Sequence, residues 1–133
     1  MGKDKIDLAI QRYDFFAHAE MLRYLFLQRR MDPMIAYEAP RVGYIVMDEF
    51  NYPVAAGFLR KCEGNYMFVD GFITNPCHPV EIRNKALDLL TKRLIKRAKG
   101  RKILAFTTDN CIITRARKLG FAHLEHQFLV HKG

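Results

Sequence analysis

The stretch YMFVDGFITNPCHPVEIRNKALDLLTKRLIKRAKGRKILAFT, residues 66–107, decides the fold. It opens with a β-branched and aromatic run, Tyr66–Thr74, followed by the turn cluster Asn75-Pro76-Cys77-His78-Pro79. From about residue 79 to 99, Ile82, Ala86, Leu89, Leu90, Leu94 and Ala98 recur at three- and four-residue steps, which predicts an amphipathic helix. Pro79 suits its first turn, Glu81 suits the positive end of its dipole, and Gly100 stands where a helix is stopped. Residues 102–107 predict another strand. A strand, a helix and a strand joined this tightly form a β-α-β crossover, so the two strands are expected to be parallel.

Upstream, residues 8–30 predict one long helix, with Leu8, Ile10, Phe15, Phe16, Ala19, Leu22, Leu25 and Phe26 on its apolar stripe. Met31-Asp32-Pro33 ends it, because proline lacks a donor and disfavours helix in the residue before it. Residues 34–40 read as irregular. Two further strands, 42–47 and 54–59, are separated by the turn cluster 48–53, and Glu63-Gly64-Asn65 turns the chain into strand 66–74. Gly57 inside its strand signals a bulge or a close approach, and Gly71 is a second internal glycine. Downstream, residues 111–119 predict a helix stopped by Gly120, and 121–130 a last strand. The order is helix, three strands, helix, strand, helix, strand. That is an α/β (α+β) chain with a mixed central sheet, an antiparallel meander followed by β-α-β-α-β. With 133 residues and no composition break, one domain is expected.

Charge is concentrated. Residues 83–118 hold twelve Lys/Arg against two acids, Asp88 and Asp109, a net of +10 against −2 for the rest of the chain, so the whole formal charge of +8 sits there. Such a segment favours an anionic partner, which includes nucleic acid, a phosphate-bearing cofactor or an acidic protein. The ordinary reading is a solvated helix face. The three cysteines, Cys62, Cys77 and Cys111, are odd in number and widely spaced. They fit neither a disulfide framework nor a paired metal motif, and they point to a reducing, cytoplasmic compartment. No apolar run approaches a membrane span, and residues 1–7 hold no signal sequence.

The run Lys118-Leu119-Gly120-Phe121 before a final strand, the segment 72–98, and the element order resemble the GNAT superfamily of acyl-CoA N-acyltransferases, over residues 8–131. The resemblance implies transfer of an acetyl or related acyl group from acyl-CoA to an amine, borne by a small molecule or a protein. Pantetheine would lie between strands 66–74 and 102–107, against the backbone of Phe72, Ile73 and Thr74. The pyrophosphate would sit on the amides of Ile82, Arg83, Asn84, Lys85 and Ala86, at a helix N-terminus. Asn110 would touch pantetheine, and Arg115 or Lys118 the 3′-phosphate. Aligned on the pair Leu89-Leu90, the family's Gln/Arg-x-x-Gly-x-Gly/Ala loop falls on Glu81, Asn84 and Ala86, and only Ala86 fits. Asn84 tolerates φ > 0 best after glycine. Where many members carry a tyrosine acid, this chain has Ala116.

Asp70 is the one acid in strand 66–74, and the resemblance makes it the candidate proton acceptor, directly or through water. Simple alternation puts it on one face with Phe68 and Phe72, where aromatics would favour its neutral form. The commoner arrangement is an acid that faces solvent or pairs with a Lys or Arg. Short chains of this kind resemble those encoded by bacteriophages, which implies a host cytoplasm. The alternative function is a catalytically inactive module of the same fold, acting on a host protein or nucleic acid through the basic helix.

Other constellations are weaker. His123 and His126 lie three apart in a predicted strand and so face opposite sides, and His18 has no second histidine at helical spacing; no metal is expected. Cys77 before a helix start is more ordinary as a small apolar residue than as a nucleophile. Tyr44, Tyr52 and Tyr66 fit strand propensity as well as base stacking.

Overall fold

The computed structural model describes residues 7–105 and 110–121. Five strands form one sheet in the order β1 (Ala9–Arg12), β2 (Val42–Met47), β3 (Pro53–Lys61), β4 (Tyr66–Thr74), β5 (Lys102–Leu104). The first four pair antiparallel, and β4 and β5 are parallel neighbours. Helix α1 (Phe15–Gln28) packs on one face, α2 (Val80–Ala98) on the other, and α3 (Asn110–Lys118) follows β5. Residues 106–107 of the predicted fourth strand and nearly all of the predicted last strand, including His123 and His126, lie outside the described residues. No helix among the described residues is long and apolar enough to cross a membrane.

The single helix expected over 8–30 is a strand followed by a helix. Residues 9–12 pair with β2, from Ala9 opposite Met47 to Arg12 opposite Tyr44. Leu8 and Ile10 pack on the α2 side of the sheet. That alternation fits period two as well as it fits a helix, and Asp14 decides where the helix begins. Its carboxylate accepts the Ala17 amide at 2.9 Å, a side-chain N-cap that satisfies one orphan donor of the first turn. Starting there, α1 buries His18, Ala19, Leu22 and Leu25, the two leucines in one core cluster with Ile45, Ala56, Phe58 and Ile73. Phe16 falls on the outward side with Glu20 and Arg23, and it is 93% exposed rather than core. Residues 33–38, expected to be irregular, form a 3-10 helix, Pro33–Glu38, capped by Asp32 through the Met34 amide.

Helix α2 follows its sequence pattern. Ala86, Leu90, Leu94 and Ala98 are buried against Tyr44, Val46, Val54, Ala55, Leu59 and Met67. Burying one such leucine is worth about 1.5–3 kcal/mol. Lys99 and Gly100 both take positive φ and end the helix. Tyr44 is buried, with the Arg93 guanidinium 5.5 Å from its ring centroid, so it offers no stacking face.

The irregularity that shapes the site is in β4. Phe58 pairs with Gly71 and Leu59 with Val69, so Asp70 is one residue too many for β3. This is a β-bulge, and Gly71 carries φ +129°, a conformation that L-residues rarely adopt. The extra residue shifts alternation by one. Phe68 and Asp70 stay off the α2 side, but Phe72 goes over to it, resting on Gly57 and lining a cavity with Leu87 and Leu94. The expectation that Phe68, Asp70 and Phe72 share one face is therefore corrected for Phe72.

Candidate active site

The parallel pairing of β4 and β5 covers only Tyr66, Met67 and Phe68, opposite Lys102, Ile103 and Leu104. Beyond Phe68, β4 continues for six residues, which among the described residues pair on the β3 side only. The Asn75 amide bonds to Val54 O at 2.8 Å. By antiparallel alternation, Ile73 and Asn75 direct their peptide groups to β3, while Phe72 and Thr74 direct theirs to the open edge. Of the three predicted backbone positions, Phe72 and Thr74 are thus suitably oriented and Ile73 is not. Thr74 is partly occupied: Arg29, just past α1, donates from Nε to Thr74 O at 2.9 Å and from Nη2 to Thr74 Oγ1. Nothing in the sequence pattern singled out that clamp.

Next to the bulge, on the α1 face, lies a cleft of about 320 Å³. Leu22 and Phe26 of α1, Met31, Ile35 and Glu38 of the following segment, Phe58 and Arg60 of β3, and residues 70–73 line it. Asp70 opens into this cleft, but not as an isolated acid among aromatics. Its Oδ2 lies 3.0 Å from Arg60 Nη2, and the side chain is 37% exposed. Asp70 in turn raises the Arg60 guanidinium above its ordinary value, by hydrogen bond and charge. Glu38, not anticipated from the sequence, is a second carboxylate at the cleft and has no partner among the described residues. No tyrosine lines the cleft among the described residues, and Ala116 lines an apolar cavity of about 110 Å³ beside α3 with Leu119 and Phe121.

The connection from β4 to α2 is pinned rather than open. Asn75 is buried; its Nδ2 donates to Pro53 O at 2.9 Å and its Oδ1 accepts the Cys77 amide at 3.0 Å. His78 Nε2 meets Asp48 Oδ2 at 2.9 Å, which ties this connection to the β2–β3 turn. Burial pushes the Asp48 carboxyl up. Hydrogen bonds from His78 and from the Tyr52 and Phe50 amides, together with the His78 charge, outweigh burial and hold it below its ordinary value. Helix α2 then begins at once, and the Ile82 and Arg83 amides both bond to Pro79 O, at 3.1 and 3.0 Å.

The predicted phosphate cradle is corrected accordingly. The amides of Ile82, Arg83, Asn84, Lys85 and Ala86 belong to the helix ladder and are not free. Pro79 is the N-cap, so the helix begins at Val80, and no glycine at 84 holds the chain out of it. Ala86 is core. The open N-terminal amides are instead those of Val80 and Glu81, where α2 has no side-chain cap. Arg83 donates from Nε to His78 O. Arg115, a candidate for the 3′-phosphate, is engaged with Asn84 Oδ1 at 2.6 Å, Asn84 O and Asp88 Oδ1. Lys118 is exposed at the end of α3, and Asn110 opens that helix, its side chain outside the described residues. Among the described residues no three His, Cys, Asp or Glu side chains converge on a metal position.

No protein-family model matches the chain, and no curated protein matches its sequence. Solved structures do. A GNAT-family acetyltransferase of Streptococcus pneumoniae superposes with a TM-score of 0.67 at 16% identity, covering 97% of this chain and 100% of that one. Aminoglycoside N-acetyltransferase AAC(6′)-Iy in complex with coenzyme A gives 0.61 at 15%, covering 99% of both chains. The ribosomal-protein-S18-alanine N-acetyltransferase of Escherichia coli gives 0.62 at 11%, covering 86% and 77%.

Proposed function

On the acyl-CoA N-acyltransferase (GNAT) fold that this chain has, we propose an enzyme that moves an acetyl or related acyl group from acyl-CoA to an amine. One observation carries the reading: among the described residues β4 pairs with β5 only as far as Phe68, which leaves its edge open beyond that point, with a bulge at Asp70 that faces a cleft. Pantetheine adds to that edge as a short strand, donating to and accepting from the peptide groups of Phe72 and Thr74. Coenzyme A phosphates lie toward the α2 N-terminus, at the Val80 and Glu81 amides, with Lys85 supplying positive charge.

The bulge turns a peptide group out of the β3 ladder, and this group receives the thioester carbonyl oxygen as it becomes an oxyanion. The amine nitrogen, deprotonated in the cleft, attacks the carbonyl carbon; the C–S bond breaks and the thiolate leaves. Asp70 or a water chain takes the amine proton, with Glu38 the carboxylate free of an ion pair. A thiolate is a good leaving group near neutral pH, so the alanine at 116 does not prevent the reaction. Holding the two reactants together supplies most of the acceleration.

Titration calorimetry with acetyl-CoA tests the reading, together with release of free thiol in the presence of amines. One-to-one binding, weakened by a proline at Phe72 that removes its edge N–H, is the expected result. No heat at millimolar acetyl-CoA would refute it, and would favour an inactive module of the same fold, for which the engaged amides of residues 82–86 already speak.

A further inference from the structure

Four cationic side chains converge at the C-terminal end of α2, on the sheet face away from the cleft. Lys61 ends β3, Arg97 and Lys99 stand at the last turn and cap of α2, and Arg101 precedes β5. With Val42, Met67 and Ala98 they line a pocket of about 130 Å³ that no acid among the described residues lines. None of the four side chains has an ion-pair or hydrogen-bond partner among the described residues. The helix dipole accounts for Arg97 and Lys99 at a C-terminus. It does not account for Lys61 and Arg101, which arrive from other elements and repel them. Like charges gathered without a counter-charge cost stability, and a bound anion would remove that cost.

We propose that this pocket is a phosphate site for a phosphate-bearing chain, a single nucleic-acid strand, distinct from the acyl-CoA cleft. Two guanidinium forks and two ammonium groups match the several acceptor oxygens of a phosphodiester better than the two of a carboxylate. The site also has a continuation. Lys85, Lys92 and Lys96 are exposed and stand on one line of α2, opposite the buried Ala86, Leu90, Leu94 and Ala98, and the line leads to exposed Lys99 at the cap. At 1.5 Å per residue this line runs about 21 Å, enough for several successive phosphates, whereas a small anion would use the pocket alone. The pocket lies about 28 Å from the α2 N-terminus by the same rise, too far to share the coenzyme A pyrophosphate.

The test is fluorescence anisotropy with a labelled single-stranded RNA oligonucleotide across a salt series, with inorganic tripolyphosphate and poly-glutamate as competitors. The triple variant Lys61→Gln, Arg97→Gln, Arg101→Gln is compared with Arg12→Gln, Arg23→Gln, Arg30→Gln, which removes the same charge elsewhere. We expect the pocket variant to lose about tenfold or more in affinity, and the slope of log K against log salt to fall by about two, at ~0.7 per lost contact on a single strand. The control should lose far less. Tripolyphosphate should displace the strand better than poly-glutamate of equal charge, and saturating acetyl-CoA should not displace it. Equal losses in both variants, no RNA binding at physiological salt, or displacement by acetyl-CoA would each overturn the proposal. Matching thermal midpoints establish that the variants are folded, and Lys61→Gln alone repeats the comparison should the triple variant melt early.

Discussion

Replacing Gly71 by alanine isolates what the β4 bulge contributes. A Cβ built on Gly71 meets no atom within 4 Å, so the substitution creates no clash. The whole cost is backbone strain from holding an L-residue at φ +129°, about 1–3 kcal/mol. The chain could escape the strain by ironing out the bulge, but every side chain after Asp70 would then change face. Ile73, now 9% exposed within the α1-side core, would leave it at a cost of about 1.5–3 kcal/mol. Phe72 would simultaneously be driven from its place over Gly57. Keeping a strained bulge is the cheaper outcome. Urea unfolding should therefore show a midpoint lowered by that strain with an unchanged m-value, because the surface exposed on unfolding is the same. Thiol release from acetyl-CoA should slow more than acetyl-CoA binding weakens, since a displaced bulge peptide misaligns the oxyanion contact while Phe72 and Thr74 still hold the pantetheine. A midpoint equivalent to less than about 0.5 kcal/mol of change, the ordinary noise of surface substitutions, would refute the strain argument. Lost stability with full turnover would refute the role given to the bulge.

Gly43→Ala should cost more than Gly57→Ala. A Cβ at 43 comes 2.2 Å from the Phe58 ring, which is buried and held edge-on by Tyr13 at 5.1 Å, whereas at 57 it comes 2.6 Å from Phe72, which is 39% exposed and can swing out. Denaturant midpoints should give about 3 kcal/mol against about 1, with Phe72→Leu rescuing only the second. His18 should make stability fall on acidification. Burial lowers its pKa, with Asp14 opposing, and its Nδ1 accepts the Asp14 amide at 2.9 Å, which requires a neutral ring. The unfolded chain takes up the proton near pH 6.5 and the folded one only below, so stability present above that pH is lost as pH falls through it; urea midpoints of His18→Leu should be flatter than wild type between pH 8 and 5. Arg29→Met removes both bonds to Thr74 and frees an acceptor on the open edge. Calorimetry should show tighter acetyl-CoA binding, and unchanged affinity would take Thr74 out of the site.

The topology was legible because the strongest signals were local. The stripe Ile82, Ala86, Leu90, Leu94, Ala98 and the proline and glycine flanking it gave α2 nearly to the residue, and short connections gave the meander and the parallel pair. The first element was misread because Leu8 and Ile10 satisfy period two and period 3.6 equally, and the arbiter, an Asp14 carboxylate reaching Ala17, is a contact rather than a pattern. The site was less legible for the same reason. The bulge exists in the mismatch between two strands, so alternation counted along β4 alone assigns Phe72 to the wrong face. Arg29 reaches Thr74 across 45 residues and Arg115 reaches Asn84 across 31, and no spacing rule encodes such partners. Pro79 was the local clue against free amides at 82–86, since a proline at the cap lets the helix start before the family's loop would end.

Three glycines bind these features together. Gly43 leaves room for the Phe58 ring on the α1 side of the sheet, and Gly57 leaves room for the Phe72 ring on the α2 side. Gly57 and Phe72 are cross-strand partners, but Phe72 reaches that side only because Asp70 was inserted, and the insertion is tolerated only because residue 71 is glycine. An empty place at 57 is useless without the bulge at 70, and the bulge would drive Phe72 into a side chain at 57 if that place were filled. The same shift of one residue keeps Asp70 with Arg60 at the cleft and turns the peptides of Phe72 and Thr74 to the edge left by β5. Packing on one face of β4 and chemistry on its edge are therefore set by a single inserted residue, so deleting it would regularise the pairing of β3 with β4 while dismantling both the core contact of Ile73 and the site.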